Sequence, residues 1–139
     1  MDHAIDYELR PIGFIRSSLT SRKNAPRQGS EGAPEASIEL LPEFADALLG
    51  MDVGVEIWVF TWLHQGRRET LQVYPRGDRA NLLTGVFFTR SPDRPNPIGL
   101  HKTTVVELAG SKIKVANIEA IHGTPVIDIK PVLKGEAVR

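Results

Sequence analysis

The chain has 139 residues, of which 41% are hydrophobic and 24% are charged, a composition typical of one soluble globular domain. Its 17 basic and 17 acidic side chains leave no formal net charge, which argues against nucleic-acid binding through a uniformly basic surface. Cysteine is absent, which excludes disulfides, thiol nucleophiles and thiolate metal sites. Neither a run of about 18 apolar residues nor a signal-peptide pattern occurs, so we expect no membrane segment.

The first forty residues predict two short strands separated by a long loop. Residues 11–17 contain a compact apolar cluster and predict an edge strand, because Pro11 cannot donate to a central ladder. Residues 18–36 are rich in Ser, Gly, Pro and charged residues and predict a long loop. Residues 37–41 predict the second strand.

The middle of the chain predicts one helix followed by a central strand. A proline in the first turn and a glycine past the end predict a helix over residues 42–50. Phe44, Leu48 and Leu49 are expected to form its buried face. Residues 53–63 are the most apolar run of the chain and predict a strand in the centre of a sheet.

The rest of the chain predicts short strands joined by tight turns. They are expected over residues 71–74, 84–89, 98–108, 112–118 and 125–131. The tail from Lys134 is expected to be disordered. Because many short strands occur with one helix and no βαβ alternation, the sequence predicts a mostly β fold, an antiparallel barrel or sandwich with one short helix and long loops.

A stiff loop follows residues 84–89, since Pro92, Pro95 and Pro97 each fix φ and remove a backbone donor. The polar side chains before and between these prolines are Arg90, Ser91, Asp93, Arg94 and Asn96. Such a loop on a β scaffold is typical of a binding site. The alternative is a fixed turn whose arginines pair with nearby carboxylates.

Several other places carry polar residues that suit chemistry. His64 and Gln65 end the central strand and either face a pocket or cap the edge of the sheet. Asp128 and Lys130 either act in a site or form a buried pair that orders a strand. Arginines concentrate in residues 67–94, as a local basic face or as a self-paired surface. No dinucleotide-binding glycine motif, P-loop or metal-ligand histidine spacing occurs, so we expect no metal.

Residues 85–99 closely resemble the signature Gly-x-Phe-x-x-Arg-Ser-Pro-x-Arg-Pro-Asn-Pro-Ile-Gly of the TsaA-like (YaeB-type) family. Members of that family are S-adenosylmethionine-dependent methyltransferases that modify an adenosine of tRNA. Further matches follow in the family's order at Pro26-Arg27-Gln28, His64-Gln65, Gly123-Thr124-Pro125 and residues 128–131. The resemblance therefore spans residues 11–133, nearly the whole chain.

The resemblance implies a β-barrel methyltransferase fold without a Rossmann core, S-adenosylmethionine as cofactor, a tRNA partner, a homodimer and a cytoplasmic location. It also implies a single domain over residues 1–139, without the additional C-terminal domain of longer members. The implied cofactor-binding residues are Pro26, Arg27, Gln28, His64, Gln65, Arg90, Leu100, Glu119, Ala120, Ile121 and His122. Arg94 and Asn96 are the implied substrate-binding residues. One departure is His122, which stands where the family usually has a second aspartate.

Methyl transfer from a sulfonium mainly requires a positioned donor, an in-line acceptor and a pocket poor in water. An adenine amino group is a weak nucleophile, so a nearby base or acceptor would help. We take Asp128 as the first candidate for this role and Glu119 as the second. The leading hypothesis is methylation of the threonylcarbamoyl-modified adenosine beside a tRNA anticodon. The alternatives are another RNA or a small molecule as acceptor, or a non-catalytic module that senses S-adenosylmethionine.

Overall fold

The computed structural model describes residues 6–26 and 32–136, and eight strands lie within these ranges. They are β1 (Gly13–Arg16), β2 (Ala36–Leu40), β3 (Glu56–Trp62), β4 (Gln72–Val73), β5 (Thr84–Gly85), β6 (Ile98–Ala109), β7 (Lys112–Val115) and β8 (Pro125–Pro131). Six of them close into an antiparallel barrel in the order β1-β2-β7-β6-β3-β8, and β4 pairs with β5 in a separate sheet. The predicted mostly β fold with an antiparallel barrel is confirmed.

One face of each barrel strand points into a core of β-branched side chains, which suit a pleated and half-buried surface. In β3, Ile57, Val59 and Thr61 are buried and alternate with side chains on the outside of the barrel. The register pairs Val59 with His101 of β6, so this histidine also points inward. The alternation thus places His101 next to Thr61 within the barrel, beside a mostly apolar core.

The predicted helix exists, but it is a 3-10 helix over Pro42–Leu48. Leu48 packs against the barrel core, whereas Leu49, which we expected to be buried, is 96% exposed. A 3-10 helix has three residues per turn and ends here at Leu48, so Leu49 does not continue the inner face. Shorter 3-10 turns lie at Arg22–Asn24, Pro75–Gly77 and Val86–Phe88. None of the described helices is long and apolar enough to cross a membrane.

Three further expectations are wrong in detail. Strand β1 is not an edge strand, because it pairs with both β2 and β8. The strand predicted over residues 84–89 stops at Gly85, and the chain then turns, with the Thr89 N–H donating to the Val86 carbonyl. The expected disorder of the tail is not seen at residues 134–136, where the Glu136 carboxylate accepts from Trp58 Nε1 and from the Leu133 N–H, while residues 137–139 lie outside the described residues.

Candidate active site

An open cleft of ≈ 1590 Å³ lies between the β3–β6 side of the barrel and the small β4–β5 sheet. Ligand pockets for one small molecule commonly measure about 300–1,000 Å³, so this cleft has room for two ligands side by side. The proline loop and residues 63–66, which follow β3, both line it. The cleft therefore gathers several of the segments that the sequence singled out.

The Asp93 carboxylate joins three chain segments at one end of the cleft. Arg22 binds it in a bidentate manner, with Nη1 3.2 Å from Oδ1 and Nη2 3.3 Å from Oδ2. The Arg67 N–H also donates to Oδ1 at 2.9 Å, and Arg22 Nη1 donates to the Gln65 carbonyl at 3.1 Å. We call Arg22, Asp93 and the Arg67 N–H the Asp93 clasp.

The clasp also determines the charge state of Asp93. Burial alone would raise the pKa of this carboxyl group, but the Arg67 N–H and the Arg22 guanidinium outweigh that effect. Together they hold the pKa of Asp93 below its ordinary value. A carboxylate that is ionised at neutral pH thus links the proline loop to the segment that carries His64 and Gln65.

Gly66 allows these two segments to approach each other closely. A Cβ atom there would clash with the Pro92 carbonyl oxygen and lie 3.0 Å from the Leu63 carbonyl oxygen and from Pro97 Cβ. Because only glycine fits this gap, the residue after Gln65 fixes the position of the proline loop.

The polar side chains of the proline loop mostly brace the loop itself. Arg94 Nη1 donates to the carbonyls of Thr89 and Ser91, at 3.0 and 3.1 Å. Asn96 Oδ1 accepts from Arg68 Nη2 at 3.1 Å. Both predicted substrate-binding residues, Arg94 and Asn96, line the cleft, but each has a structural hydrogen bond as well. The alternative in which the loop arginines pair mainly with carboxylates does not describe Arg94.

Arg90 differs from its neighbours in the loop. Its side chain is exposed and lines the cleft, and it has no polar partner among residues 6–26 and 32–136. A guanidinium in this state is available to bind a carboxylate or a phosphate.

A buried polar network lies at the barrel side of the cleft. His101 Nδ1 is 2.5 Å from Glu119 Oε1, and His101 Nε2 is 2.7 Å from Thr61 Oγ1. His101 is 4% exposed and Thr61 is fully buried. A carboxylate can only accept, so Nδ1 carries a proton, and in the neutral imidazole Nε2 accepts from the Thr61 hydroxyl. The other Glu119 oxygen has no hydrogen-bond partner in the described part of the chain.

Gly99 makes room for this network. It pairs with Thr61 in the β3–β6 register, and a Cβ atom on it would clash with Thr61 Oγ1 and lie 2.7 Å from His101 Nε2. The last glycine of the proline-loop motif is therefore explained by close packing against a buried hydrogen-bonded histidine.

The structure brings most of the predicted cofactor-binding residues together. Those that line the cleft are Pro26, His64, Gln65, Arg90, Leu100, Glu119, Ala120 and Ile121. The predicted residues Arg27 and Gln28 lie outside the described residues. His64 is exposed and faces the cleft, which favours the pocket over the edge-capping alternative.

Two predicted site residues are not brought to the cleft within one chain. His122 is exposed, and its Nδ1 accepts from the Ser17 N–H at 3.2 Å, so its ring braces the end of β1. Asp128 is exposed on the outside of the barrel, where its Oδ1 accepts from the Ile129 N–H. Lys130 is also exposed, so the alternative of a buried Asp128–Lys130 pair is wrong.

Sequence reasoning missed several residues that line the cleft or support the residues that do. His101 and Thr61 stand at inward positions of their strands, and a polar residue at such a position was the available signal. Arg22 had no local signal, because its partner Asp93 is 71 positions away. Across the described residues, no group of three or more His, Asp or Glu is placed to hold a metal ion.

Comparison with known proteins shows which class of protein this fold belongs to. The barrel is the fold of a family of tRNA methyltransferases. The sequence model of the tRNA-methyltransferase O N-terminal domain matches residues 14–135. The chain belongs to this family, and the resemblance found in the sequence is confirmed.

Relatives of similar length and solved structures agree with this assignment. The chain is 42% identical over 127 residues to a "Probable S-adenosyl-L-methionine-binding protein" of Methanothermobacter thermautotrophicus, covering 91% of this chain and 90% of that one. It is 39% identical to an S-adenosyl-L-methionine-binding protein of Archaeoglobus fulgidus, covering 88% and 86%. The crystal structure of TrmO from Pseudomonas aeruginosa is similar with a TM-score of 0.73 at 29% identity. That match covers 93% of this chain but only 57% of the solved chain.

Proposed function

We propose that the protein is an S-adenosylmethionine-dependent methyltransferase whose cofactor binds in the cleft beside Glu119. The observation that carries this proposal is the Glu119 carboxylate, which His101 holds by one oxygen while the other is unpaired at the cleft. The family and the names of the two archaeal relatives support the choice of cofactor.

The residues at the cleft fit such a cofactor chemically. Glu119 can accept from ribose hydroxyls, Leu100 and Ile121 offer apolar contact for an adenine ring, and Arg90 can bind a carboxylate. His64 and Gln65 lie at the same opening. When bound, the cofactor supplies an electrophilic methyl group on a sulfonium.

The protein's own part in the reaction is positioning and proton acceptance. A new N–C bond forms as the S–C bond breaks, and the acceptor nitrogen loses its proton. The Glu119 oxygen that His101 does not hold supports a role as proton acceptor, and its two lone pairs allow it to accept from a ribose hydroxyl as well. The size of the cleft supports the simultaneous presence of cofactor and acceptor.

We further propose the threonylcarbamoyl-modified adenosine beside a tRNA anticodon as the acceptor, and hence a cytoplasmic location that cell fractionation can check. The family description supports a tRNA, and the neutral net charge does not exclude one, because the cleft has its own cationic residues. Another RNA, a small molecule or a sensing role without turnover are the alternatives.

A two-part experiment tests this function. S-adenosylmethionine and S-adenosylhomocysteine should each raise the melting temperature, since saturation at about 100 times Kd adds about 2.7 kcal/mol of stability. Labelled methyl groups should then enter tRNA that carries the modified adenosine and not the same tRNA without it. Absence of any thermal shift would contradict the cofactor proposal. A shift without transfer to RNA would favour the sensing alternative.

We also propose that two copies pair through the outer face of β3, β6 and β8. Trp58, Phe60 and Leu100 form a groove there with Pro131 and the exposed Leu133. Trp58 and Leu100 also line the cleft, so a second copy on this face would adjoin it. Such a pair would present Asp128 to the partner's cleft, where it could serve as the second proton acceptor.

A complementation experiment checks the paired site. Chains with Asp128→Ala and chains with Glu119→Ala should each be inactive alone, and their mixture should regain activity. Random pairing makes half of the dimers mixed, each with one intact site, so about a quarter of wild-type activity is expected. No recovery in a mixture that sediments as dimers would contradict the role of Asp128, and monomers at all concentrations would contradict the pairing.

A further inference from the structure

Besides the proline loop, the cleft has two walls of different character. One wall is the barrel, and the other is residues 71–90, which we call the arm. The arm holds the β4–β5 sheet, where Gln72 pairs with Gly85 and Val73 with Thr84, outside the barrel ladder. Of the arm residues that line the cleft, Arg90 belongs to the proposed cofactor site, whereas Arg76, Arg79, Phe87 and Phe88 do not.

The two walls carry opposite charge. The side chains that the arm contributes to the cleft include Arg76, Arg79 and Arg90 and no carboxylate. Asp78 does not line the cleft, because its Oδ1 accepts from the Ala80 N–H at 2.8 Å within the arm's own loop. On the barrel wall, Lys102 and Glu56 form an ion pair and offset each other's charge. The negative charge of Glu119 therefore remains on that wall.

The arm also holds aromatic rings in contact with water. Phe87 is 82% exposed and Phe88 is 89% exposed, and both line the cleft. Their neighbour Val86 is buried, so the turn that presents these rings is anchored. At the other side of the arm, the Arg79 guanidinium lies 5.2 Å from the centre of the Tyr74 ring. Exposed aromatic rings beside arginines are the pattern that binds unpaired nucleotides, because bases stack on rings while phosphates meet cations.

This combination discriminates between partners. A second copy of the chain has no net charge, so its surface would not on average complement an arm that presents arginines and no carboxylate. A duplex would offer phosphates but would keep its bases stacked and out of reach of Phe87 and Phe88. A single-stranded RNA loop offers both phosphates and free base faces.

We propose that the arm docks the single-stranded loop of the RNA acceptor, with Phe87 and Phe88 stacking on bases and Arg79 contacting a phosphate. The inference rests on the proposed tRNA methyltransferase function and adds the surface by which RNA is held. Cofactor and acceptor then occupy opposite walls of one cleft. The proposed RNA contacts do not include Arg90, so Arg90 can bind the cofactor's carboxylate at the same time.

Fluorescence anisotropy with a labelled anticodon stem–loop RNA tests the arm in the full chain. Phe88→Ala should weaken binding about 5- to 150-fold, the range for losing one stacked base. Arg79→Ala should reduce the slope of log affinity against log salt by about 0.7, the value for one phosphate contact on a single strand. The matched controls are Tyr7→Ala and Arg16→Ala, exposed residues outside the cleft, which should bind RNA as the wild type does.

Calorimetric titration of the same variants with S-adenosylhomocysteine tests cofactor binding independently of RNA binding. It therefore distinguishes a failure of the arm proposal from a failure of the methyltransferase proposal. Unchanged cofactor affinity with weakened RNA binding supports the arm. If both arm variants bind RNA as tightly as the wild type, the proposed RNA binding by the arm is wrong and the methyltransferase proposal is unaffected. If the wild type binds cofactor but no RNA, both the arm and the tRNA acceptor are overturned. If Phe88→Ala instead lowers the sedimentation coefficient to that of a monomer, the arm is a surface between copies and the inference is wrong.

Discussion

Replacing Glu119 with alanine should destabilise the fold and abolish tight cofactor binding together. The substitution leaves the buried His101 N–H without its acceptor, which costs about 1–3 kcal/mol. It also removes the carboxylate that we propose to bind the cofactor. Loss of a charge-assisted hydrogen bond of about 1.5–3 kcal/mol corresponds to a fall in affinity of about 10- to 150-fold. Urea unfolding and titration with S-adenosylhomocysteine measure the two effects.

Glu119→Gln separates the two roles of this residue. The amide oxygen can still accept from His101 Nδ1, so we expect stability near that of the wild type. The negative charge is lost, so cofactor affinity should still fall. Glu107→Gln is the matched control, because Glu107 is exposed on β6 and outside the cleft. Wild-type affinity in both Glu119 variants would contradict the proposed contact.

Thr61→Val tests whether His101 depends on both of its partners. The substitution removes the donor to His101 Nε2 and leaves a buried nitrogen unpaired. If the network positions Glu119, cofactor affinity should fall although Thr61 itself does not line the cleft. Such coupling through a buried side chain would explain why polar residues occupy the inward positions of two neighbouring strands.

The strands could be read from the sequence because their signal is local. Strand β8 has the predicted bounds, Pro125–Pro131, and β3 lies within the predicted run, since β-branched and aromatic residues alternate there. The 3-10 form of Pro42–Leu48 could not be read in this way. Over seven residues the periods of 3.0 and 3.6 place nearly the same side chains inward, and only Leu49 distinguishes them.

The candidate site was accessible to sequence reasoning only where a motif marked it. Glu119 lies at the cleft as expected, but its partner His101 is 18 positions away and appears in no local pattern. His122 was expected beside the cofactor because of its place before Gly123, yet its ring turns to the Ser17 N–H. A motif fixes the path of the backbone. The direction of each side chain depends on tertiary neighbours, and these lie far away in the sequence.

Loss of the Asp93 clasp should loosen the proline loop and the His64–Gln65 segment together. Asp93→Ala removes the acceptor of the Arg22 guanidinium and of the Arg67 N–H. We expect a loss of about 1.5–3 kcal/mol in the free energy of unfolding, typical of hydrogen bonds to a charged group. Cofactor affinity should also fall, because Arg22 positions the Gln65 carbonyl only while Asp93 holds it. The control is Asp46→Asn at an exposed aspartate, which should change neither the free energy of unfolding nor the cofactor affinity.

The pH dependence identifies the clasp as the cause. The pKa of Asp93 is lowered in the folded protein from an ordinary value of 3.8, so its stabilising contribution is complete above that value. The contribution is lost as the pH falls through the lower, folded pKa. The stability difference between wild type and Asp93→Asn should therefore be constant at neutral pH and shrink below about pH 4. A double-mutant cycle with Arg22→Ala should give a coupling energy of about 0.5–3 kcal/mol at pH 7 and less in acid. Additive effects at both pH values would show that the two side chains do not stabilise the loop as a pair.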